Sequence, residues 1–526
     1  MIYLTLYNNL YIKIDSEETD VFQLINEHFS YWVEGAQYSN KYKCGIWDGK
    51  IYMFDHRNRI LPYGLLFDLI TLLKDNNYEI SASEEVKNLF GETTDVIFNY
   101  DLKYYPRDYQ KDIIESCIKY KKCLFLSATG SGKSLIISYI CKILRENYLV
   151  NNCVIIVPTT SLITQFYNDM IDYGIDSSLL GKFYADEKCW DKSILISTWQ
   201  SLSHDNEKIR RNETIELKKK LSKKSIKQDE KEKLLERYNL ITSKEYITNV
   251  KELMKQREVL MENVDCVIVD ECQTVKAQTV SELLKKFTNT KYRFGCTGTL
   301  PDQQIDIVNI KSFIGPKVKH YGVKELTEHG YLNKCVVHRY NLKYNNKIEG
   351  TLNEVKDVLF ENKFRMGVIN DVIRDIGRDN ILILVGRIEK EGSILESNLK
   401  SEFPDKQIKF IYGKTKPDER ELWRKKCIDE DNIILISSYP VFQAGINIPN
   451  LSYVMFASSY KSKVRNLQSI GRSLRRMDGK SDSCIIDIVD YNNKFLPNQA
   501  NERMKFYCNE DFIVKSFTIK EKEYER

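Results

Sequence analysis

From about residue 121 onward, short apolar runs alternate with longer amphipathic stretches, and this alternation confines the chain to parallel sheets joined by crossover helices. The runs form two groups. The first lies at 123–126, 153–157, 194–196, 266–269 and 292–296, and the second at 381–385, 408–412, 433–436, 453–457 and 484–489. Each run is hydrophobic almost without interruption, as strands are when helices cover both faces of a sheet. Two tandem α/β lobes are therefore expected, at 101–320 and 321–493. A length of 526 residues leaves room for a small α+β domain at 1–100 and an appendage at 494–526.

Between 205 and 259 the character changes to charged stretches such as LKKKLSKK and DEKEKLLER, with Leu217/Leu221 and Val250/Leu253/Arg257/Leu260 at helical spacing. This predicts a charged helical hairpin inserted into the first lobe. Mixed-sign charge of this kind ordinarily solvates an exposed helix face, and a nucleic-acid or partner contact is the alternative. The first hundred residues hold the aromatic and glycine-rich stretch EGAQYSNKYKCGIWDGKIYMFDHRNRILPYGLL, where Gly49 and Gly64 suit turns. Lys41, Lys43, Lys50, Arg57 and Arg59 lie there among Tyr38, Tyr42, Trp47 and Tyr52. Such interleaving suits gripping phosphates while stacking on bases, and equally suits the core of a small β-rich domain.

The balance of 42% apolar and 29% charged residues is that of a globular protein, and the net charge of +5 names no partner by itself. The N-terminus lacks signal-peptide character and no run is long enough to span a bilayer, so a cytoplasmic location without membrane contact is expected. The thirteen cysteines are scattered without a CxxC pair, which points to reduced, buried thiols rather than disulfides or zinc.

The sharpest local signal is Ser127-Ala128-Thr129-Gly130-Ser131-Gly132-Lys133-Ser134, between an apolar strand and the helical LIISYICKIL. Backbone N–H groups of such a glycine-rich turn face phosphates, Lys133 can neutralise β/γ oxygens, and Ser134 can hold Mg2+. Further on, Asp270 and Glu271 end a second buried strand, VDCVIVDECQ. Asp270 would hold Mg2+ and Glu271 would orient and deprotonate the attacking water. In QSIGRSLRR, Arg472 and Arg475 stand three apart on one helix face. They are the candidates for stabilising γ-phosphate charge, since the first lobe offers no obvious arginine finger.

Taken in order, these segments resemble a superfamily 2 helicase from about Lys103 to Tyr491. The resemblance implies two RecA-like lobes, use of ATP with Mg2+, and further site residues. Gln110 in YPRDYQ resembles the adenine-reading glutamine. VPTTSLITQ and STWQSL resemble the nucleic-acid-tracking motifs, with Thr159, Thr160, Thr198 and Gln200 as phosphate contacts that hold a strand without reading bases. Thr297 and Thr299 of TGT, with Gln468, match coupling positions; Arg387, Thr415 and Gln443 match second-lobe contacts. GIWDGKIYMFDHRNRILPYGLL, PTTSLITQ and GRSLRR together resemble the phage UvsW type of recombination helicase, which implies remodelling of branched or forked DNA by branch migration and fork regression, and an N-terminal domain that engages DNA. Two departures stand out: Gln273 replaces the usual histidine of motif II, and Asn447 stands where many relatives carry aspartate. The rival readings are a restriction-system motor subunit, an RNA helicase, and an ATP-binding clamp that grips DNA without turnover.

Overall fold

Alternation of side chains organises the first sheet. Ile2 and Leu4 of β1 (Ile2–Asn8) and Ile12 and Ile14 of β2 (Tyr11–Ser16) are all buried, while their neighbours face outward. The two strands pair antiparallel through a tight turn in which Asn8 Oδ1 accepts the N–H groups of Leu10 and Tyr11 at 2.8 and 3.0 Å. In this computed structural model the sheet is completed by β5 (Ile60–Pro62) and β6 (Ile80–Ala82) in the order β5-β2-β1-β6, and β3 (Ser30–Trp32) pairs separately with β4 (Lys50–Tyr52). Helices Asp20–His28 and Leu66–Asp75 seal the core with Val21, Phe22, Ile25, Leu69 and Leu73. The structure describes all residues except 91–95, 129, 185–186, 190, 204–205, 223–227, 274–276, 302, 440, 442–450, 459–482, 494, 510–511 and 525–526.

The chain divides into two units, 1–126 with 134–320, and 321–526 with the segment 127–133. In the first unit, β7 (Lys122–Ser127), β8 (Cys153–Val157), β9 (Leu180–Tyr184), β10 (Glu187–Lys188), β11 (Ile194–Thr198), β12 (Cys266–Asp270), β13 (Tyr292–Thr297) and β14 (Lys317–Tyr321) form a sheet ordered β10-β9-β11-β8-β12-β13-β7-β14. The strands from β9 to β7 in that order run parallel. Every residue of β7, β8, β11 and β13 is buried, as the sequence implied. The carboxyl ends of β7, β13 and β12 therefore emerge together at one edge.

The insertion has three helices, Asn206–Leu221, Gln228–Thr242 and Lys244–Asn263, where the sequence suggested a hairpin. The extra break is set by Ser243, which is extended and whose hydroxyl accepts the Tyr246 N–H at 3.2 Å, capping the third helix. Arg210 braces Glu207 and reaches the Ile241 carbonyl at 3.3 Å, and Arg237 pairs with Glu213 across the helices. At the root, buried Arg257 donates to the Ser201 carbonyl at 3.2 Å.

The N-terminal domain, expected as a separate body, belongs to the same unit as the first lobe. It sits on the helix Gln304–Ile314, whose Val308 enters the N-terminal core. Buried Tyr63 donates its hydroxyl to the Phe313 carbonyl at 2.8 Å, Lys311 holds Asp68 at 2.5 and 2.7 Å, and Gln303 donates to Glu34 at 2.5 Å. Gly64 lies so close that a Cβ there would stand 1.9 Å from the Lys311 carbonyl oxygen. Beneath it Lys122, at the start of β7, donates to the Asn9 carbonyl at 3.0 Å and lies 4.3 Å over the Tyr63 ring. Burial and the neighbouring Arg293 guanidinium depress the Lys122 ammonium to about 7.

The second unit carries a seven-stranded sheet, β17-β18-β16-β19-β20-β15-β21, parallel throughout, from β15 (Cys335–Lys343), β16 (Ile381–Val385), β17 (Gln407–Ile411), β18 (Ile433–Ser438), β19 (Tyr453–Phe456), β20 (Ser483–Asp490) and β21 (Ile513–Lys520). The stretch 494–526 is thus no appendage. It supplies the helix Phe495–Asn509 and the strand β21, paired with β15 from Val336↔Ile513 to Lys343↔Lys520. Two buried ion pairs lock this lobe: Arg365 to Asp490 at 2.9 Å, with Tyr344 also donating to Asp490, and Arg503 to Asp487 at 2.6 Å.

Candidate active site

The segment after β7 turns through two glycines with left-handed backbone, Gly130 at φ 90° and Gly132 at φ 78°, a conformation that side chains disfavour. Ser131 N–H closes onto the Ala128 carbonyl at 3.2 Å, and buried Ser127 donates to the Ser131 hydroxyl at 2.6 Å. The Lys133 ammonium folds back to the Ser127 carbonyl at 3.3 Å, so its charge is held over the loop. The helix Lys133–Glu146 starts at this lysine. Backbone N–H groups at a helix start, two permissive glycines and an inward lysine fit the phosphates of a nucleoside triphosphate. Ser134, the expected Mg2+ ligand, shares a 2.8 Å hydrogen bond with the Tyr173 hydroxyl, a partner that no sequence signal marked. Thr129 lies outside the described residues.

At the end of β12, Glu271 has a left-handed backbone, φ 48°, and its N–H donates to Asp270 Oδ1 at 3.0 Å. The Cys296 thiol of β13 donates to the same oxygen at 3.1 Å. A chain of hydrogen bonds leads from here to the next strand. Gln273 Nε2 donates to Glu271 Oε2 at 2.7 Å, and the Thr297 hydroxyl donates to Gln273 Oε1. Thr297 Oγ1 also lies 2.6 Å from the Thr299 carbonyl oxygen and accepts the Thr299 N–H at 3.1 Å. An amide can donate at one end and accept at the other, so Gln273 joins the carboxylate to the hydroxyl without carrying charge. The sequence singled out Gln273 as a departure, but its bridging position appears only in three dimensions.

The remaining candidates differ in their setting. Some have their polar atoms turned to the protein. Gln110 is buried and its Oε1 accepts the Arg107 N–H at 2.9 Å, Thr198 is buried with its hydroxyl accepting the Ser201 N–H at 3.2 Å, and Thr415 accepts the Tyr412 N–H at 3.1 Å. Arg387 is held by Asp357 and by buried Glu391 at 3.0 Å. Others face outward: Thr160 begins an exposed helix start, and Lys41 and Lys43 are exposed. Thr159 shares a 3.0 Å hydrogen bond with Ser161, while Gln200 Oε1 is enclosed with no hydrogen-bond partner among the described residues. Gln443, Gln468, Arg472 and Arg475, with Asn447, lie outside the described residues.

Residues 103–302 match the family model for the res subunit of type III restriction enzymes, residues 2–83 that for the N-terminal part of DNA helicase UvsW, and residues 365–477 that for the helicase conserved C-terminal domain. The chain is 25% identical over 527 residues to the ATP-dependent DNA helicase uvsW of Enterobacteria phage T4, covering 96% of this chain and 93% of that protein. It is 23% identical over 422 residues to the DNA 3'-5' translocase XPB2 of Sulfurisphaera tokodaii, covering 73% and 81%. Among solved structures, S. cerevisiae Dbp5 bound to RNA and ADP BeF3 shares the fold with a TM-score of 0.51 at 13% identity, over 80% of this chain and 91% of that one.

Proposed function

From the premise that this chain belongs to the UvsW-type superfamily 2 helicases, and so is an ATP-dependent helicase, we propose that it is a motor that remodels branched or forked DNA. The observation that carries the motor part of this reading is the hydrogen-bonded chain Glu271–Gln273–Thr297–Thr299, and the branched substrate rests on the likeness to the uvsW helicase. The hydrogen-bonded chain ties the candidate hydrolytic carboxylate to the motif expected to couple nucleotide state to strand movement, a link that a non-hydrolysing clamp would not need.

In this reading the loop at 130–132 cradles the phosphates, and Lys133 exchanges its contact with the Ser127 carbonyl for a phosphate oxygen. Ser134 and Asp270 would hold Mg2+, which supplies positive charge to the phosphoryl group being transferred. Glu271, oriented by Gln273, takes the proton of the attacking water. Arg472 and Arg475 are the candidates for stabilising charge on the γ-phosphate. Thr159, Thr160 and Gln200 are the first-lobe candidates for backbone contact, which would make binding strongly salt-dependent.

The test is the ATPase rate with no nucleic acid, single-stranded DNA, duplex, fork, four-way junction or RNA, for wild type and Glu271→Gln. Strongest stimulation by branched DNA, with an inactive variant, is the expected result. Strongest stimulation by RNA overturns the substrate assignment, and an unstimulated rate in every case overturns the motor.

A further inference from the structure

Ser134 stands one residue inside the helix that follows the phosphate loop, and its hydroxyl meets the Tyr173 hydroxyl at 2.8 Å. A serine hydroxyl and a carboxylate, here Ser134 and Asp270, are hard oxygen donors of the kind that Mg2+ takes. A hydroxyl that turns a lone pair to a cation must point its hydrogen away, and the hydrogen then needs an acceptor. The Tyr173 oxygen is placed to be that acceptor. The phenol can also donate, so the same contact holds the serine before a cation arrives.

Tyr173 is itself clamped. Its carbonyl accepts the Lys103 N–H at 2.9 Å, and its ring lies edge-on to Tyr104 at 5.7 Å between ring centres. Next to it, Asp172 accepts Lys103 Nζ at 2.5 Å and the Tyr104 hydroxyl at 3.2 Å. The Tyr104 carbonyl in turn accepts the hydroxyl of Tyr139, a buried residue of the Ser134 helix, at 2.9 Å. The stretch that leads into Gln110, the helix of the phosphate loop and Tyr173 are therefore tied into one hydrogen-bonded cluster within the first unit.

Tyr173 is also the last residue of the helix Thr160–Tyr173, whose first residue is the exposed strand-contact candidate Thr160. Its 14 residues span about 20 Å. Ile163, Phe166 and Met170, at helical spacing, bury one face of it, and Gly174 ends it at φ 101°. A helix packed along one face moves as a unit, so a shift at Thr160 is felt at Tyr173.

We propose that Tyr173 is a positioning residue that orients the Ser134 hydroxyl for the cation of a bound Mg2+ nucleotide, and that nucleic acid held at Thr160 alters this grip through the helix between them. The proposal rests on the motor reading above, which supplies the nucleotide and the nucleic acid but gives Tyr173 no part. By reciprocity the Mg2+ nucleotide changes the affinity for nucleic acid by the same factor.

The test is equilibrium binding of a fluorescent, non-hydrolysable ATP analogue to the full chain over a Mg2+ titration, with and without single-stranded DNA. Tyr173→Phe keeps the ring against Tyr104 and removes one hydrogen bond. It should raise the Mg2+ concentration for half-maximal tightening about two- to tenfold, leave binding in EDTA unchanged, and abolish the lowering of that midpoint by DNA expected in the wild type. Ser134→Ala should shift the midpoint at least as far, and adding Tyr173→Phe to it should change nothing more, since the tyrosine acts through the serine. A wild-type Mg2+ midpoint in Tyr173→Phe, or a double variant worse than Ser134→Ala, overturns the positioning role. A shifted midpoint that still responds to DNA overturns the coupling along the helix. Wild-type turnover indifferent to every nucleic acid overturns the motor reading and the coupling with it, while the Mg2+ midpoint of Tyr173→Phe still decides the role of the hydroxyl.

Discussion

Replacing Gln273 by glutamate changes one atom in the coupling chain and exposes what the amide does there. Gln273 Nε2 lies 2.7 Å from Glu271 Oε2, and the new oxygen would take that place. Two ionised oxygens about 3 Å apart at an effective dielectric near 20 repel by about 5 kcal/mol, equivalent to about four pKa units. The pair would therefore keep one shared proton well above the ordinary carboxylate range. At low pH the protonated side chain donates to Glu271 as the amide did, and turnover persists. As pH rises through the upper apparent pKa of the pair, the donor is lost and the repulsion appears. A hydrogen bond to a charged group contributes about 1.5–3 kcal/mol, so kcat should fall roughly 10- to 150-fold on the alkaline side. The assay is DNA-stimulated ATPase from pH 5.5 to 9 for wild type, Gln273→Glu and Gln273→Ala. The alanine variant should be slow without the acid-favoured limb. A Gln273→Glu profile that overlays wild type in shape and height would refute the argument.

Three further outcomes are expected. Gly64→Ala puts a methyl 1.9 Å from the Lys311 carbonyl oxygen, so the N-terminal domain must back away and strain the buried Tyr63–Phe313 hydrogen bond; thermal unfolding should report a loss of about 2–4 kcal/mol, and unchanged melting would disprove the close docking. Lys122 has its folded pKa lowered to about 7, so between there and its ordinary value the unfolded chain binds the extra proton; stability should climb with pH above 7, by at most about 1.4 kcal/mol per pH unit, and the climb should be absent in Lys122→Met when melting curves are compared from pH 7 to 9. Arg365→Ala leaves Asp490 buried without its cation and should cost about 3–5 kcal/mol in denaturant unfolding of the second lobe, whereas a loss under 1 kcal/mol would mean that the pair is dispensable.

Sequence carried the parts of this fold that depend on local pattern. The apolar runs located β7, β8, β11, β12 and β13 and β16 to β20, because strands buried on both faces leave no polar positions to blur them. β15 escaped notice since CVVHRYNLK places His338, Arg339 and Asn341 within a central strand, and β21 since most of IVKSFTIK faces solvent. Gly49 and Gly64 looked alike as turn residues. Only Gly49 has the positive φ of one; Gly64 is required by backbone approach from a helix some 250 residues away in sequence, which no local pattern encodes. The same limit applies to the site. The phosphate loop and the acidic pair were legible as types at spacings, whereas the links of Gln273 to Thr297, Ser134 to Tyr173 and Cys296 to Asp270 depend on which strands become neighbours.

The strand order of the second lobe bears on how the protein is made. β15 ends between β20 and β21, yet β21 follows all the other strands in sequence. A ribosome delivering the chain from its N-terminus therefore produces a lobe whose β15 has an open edge until β21 arrives, and open edges template pairing with other chains. Distant pairing of this kind is also slow to form. During synthesis β15 keeps that open edge until β21 is made, so a nascent chain halted before Ile513 leaves it unpaired.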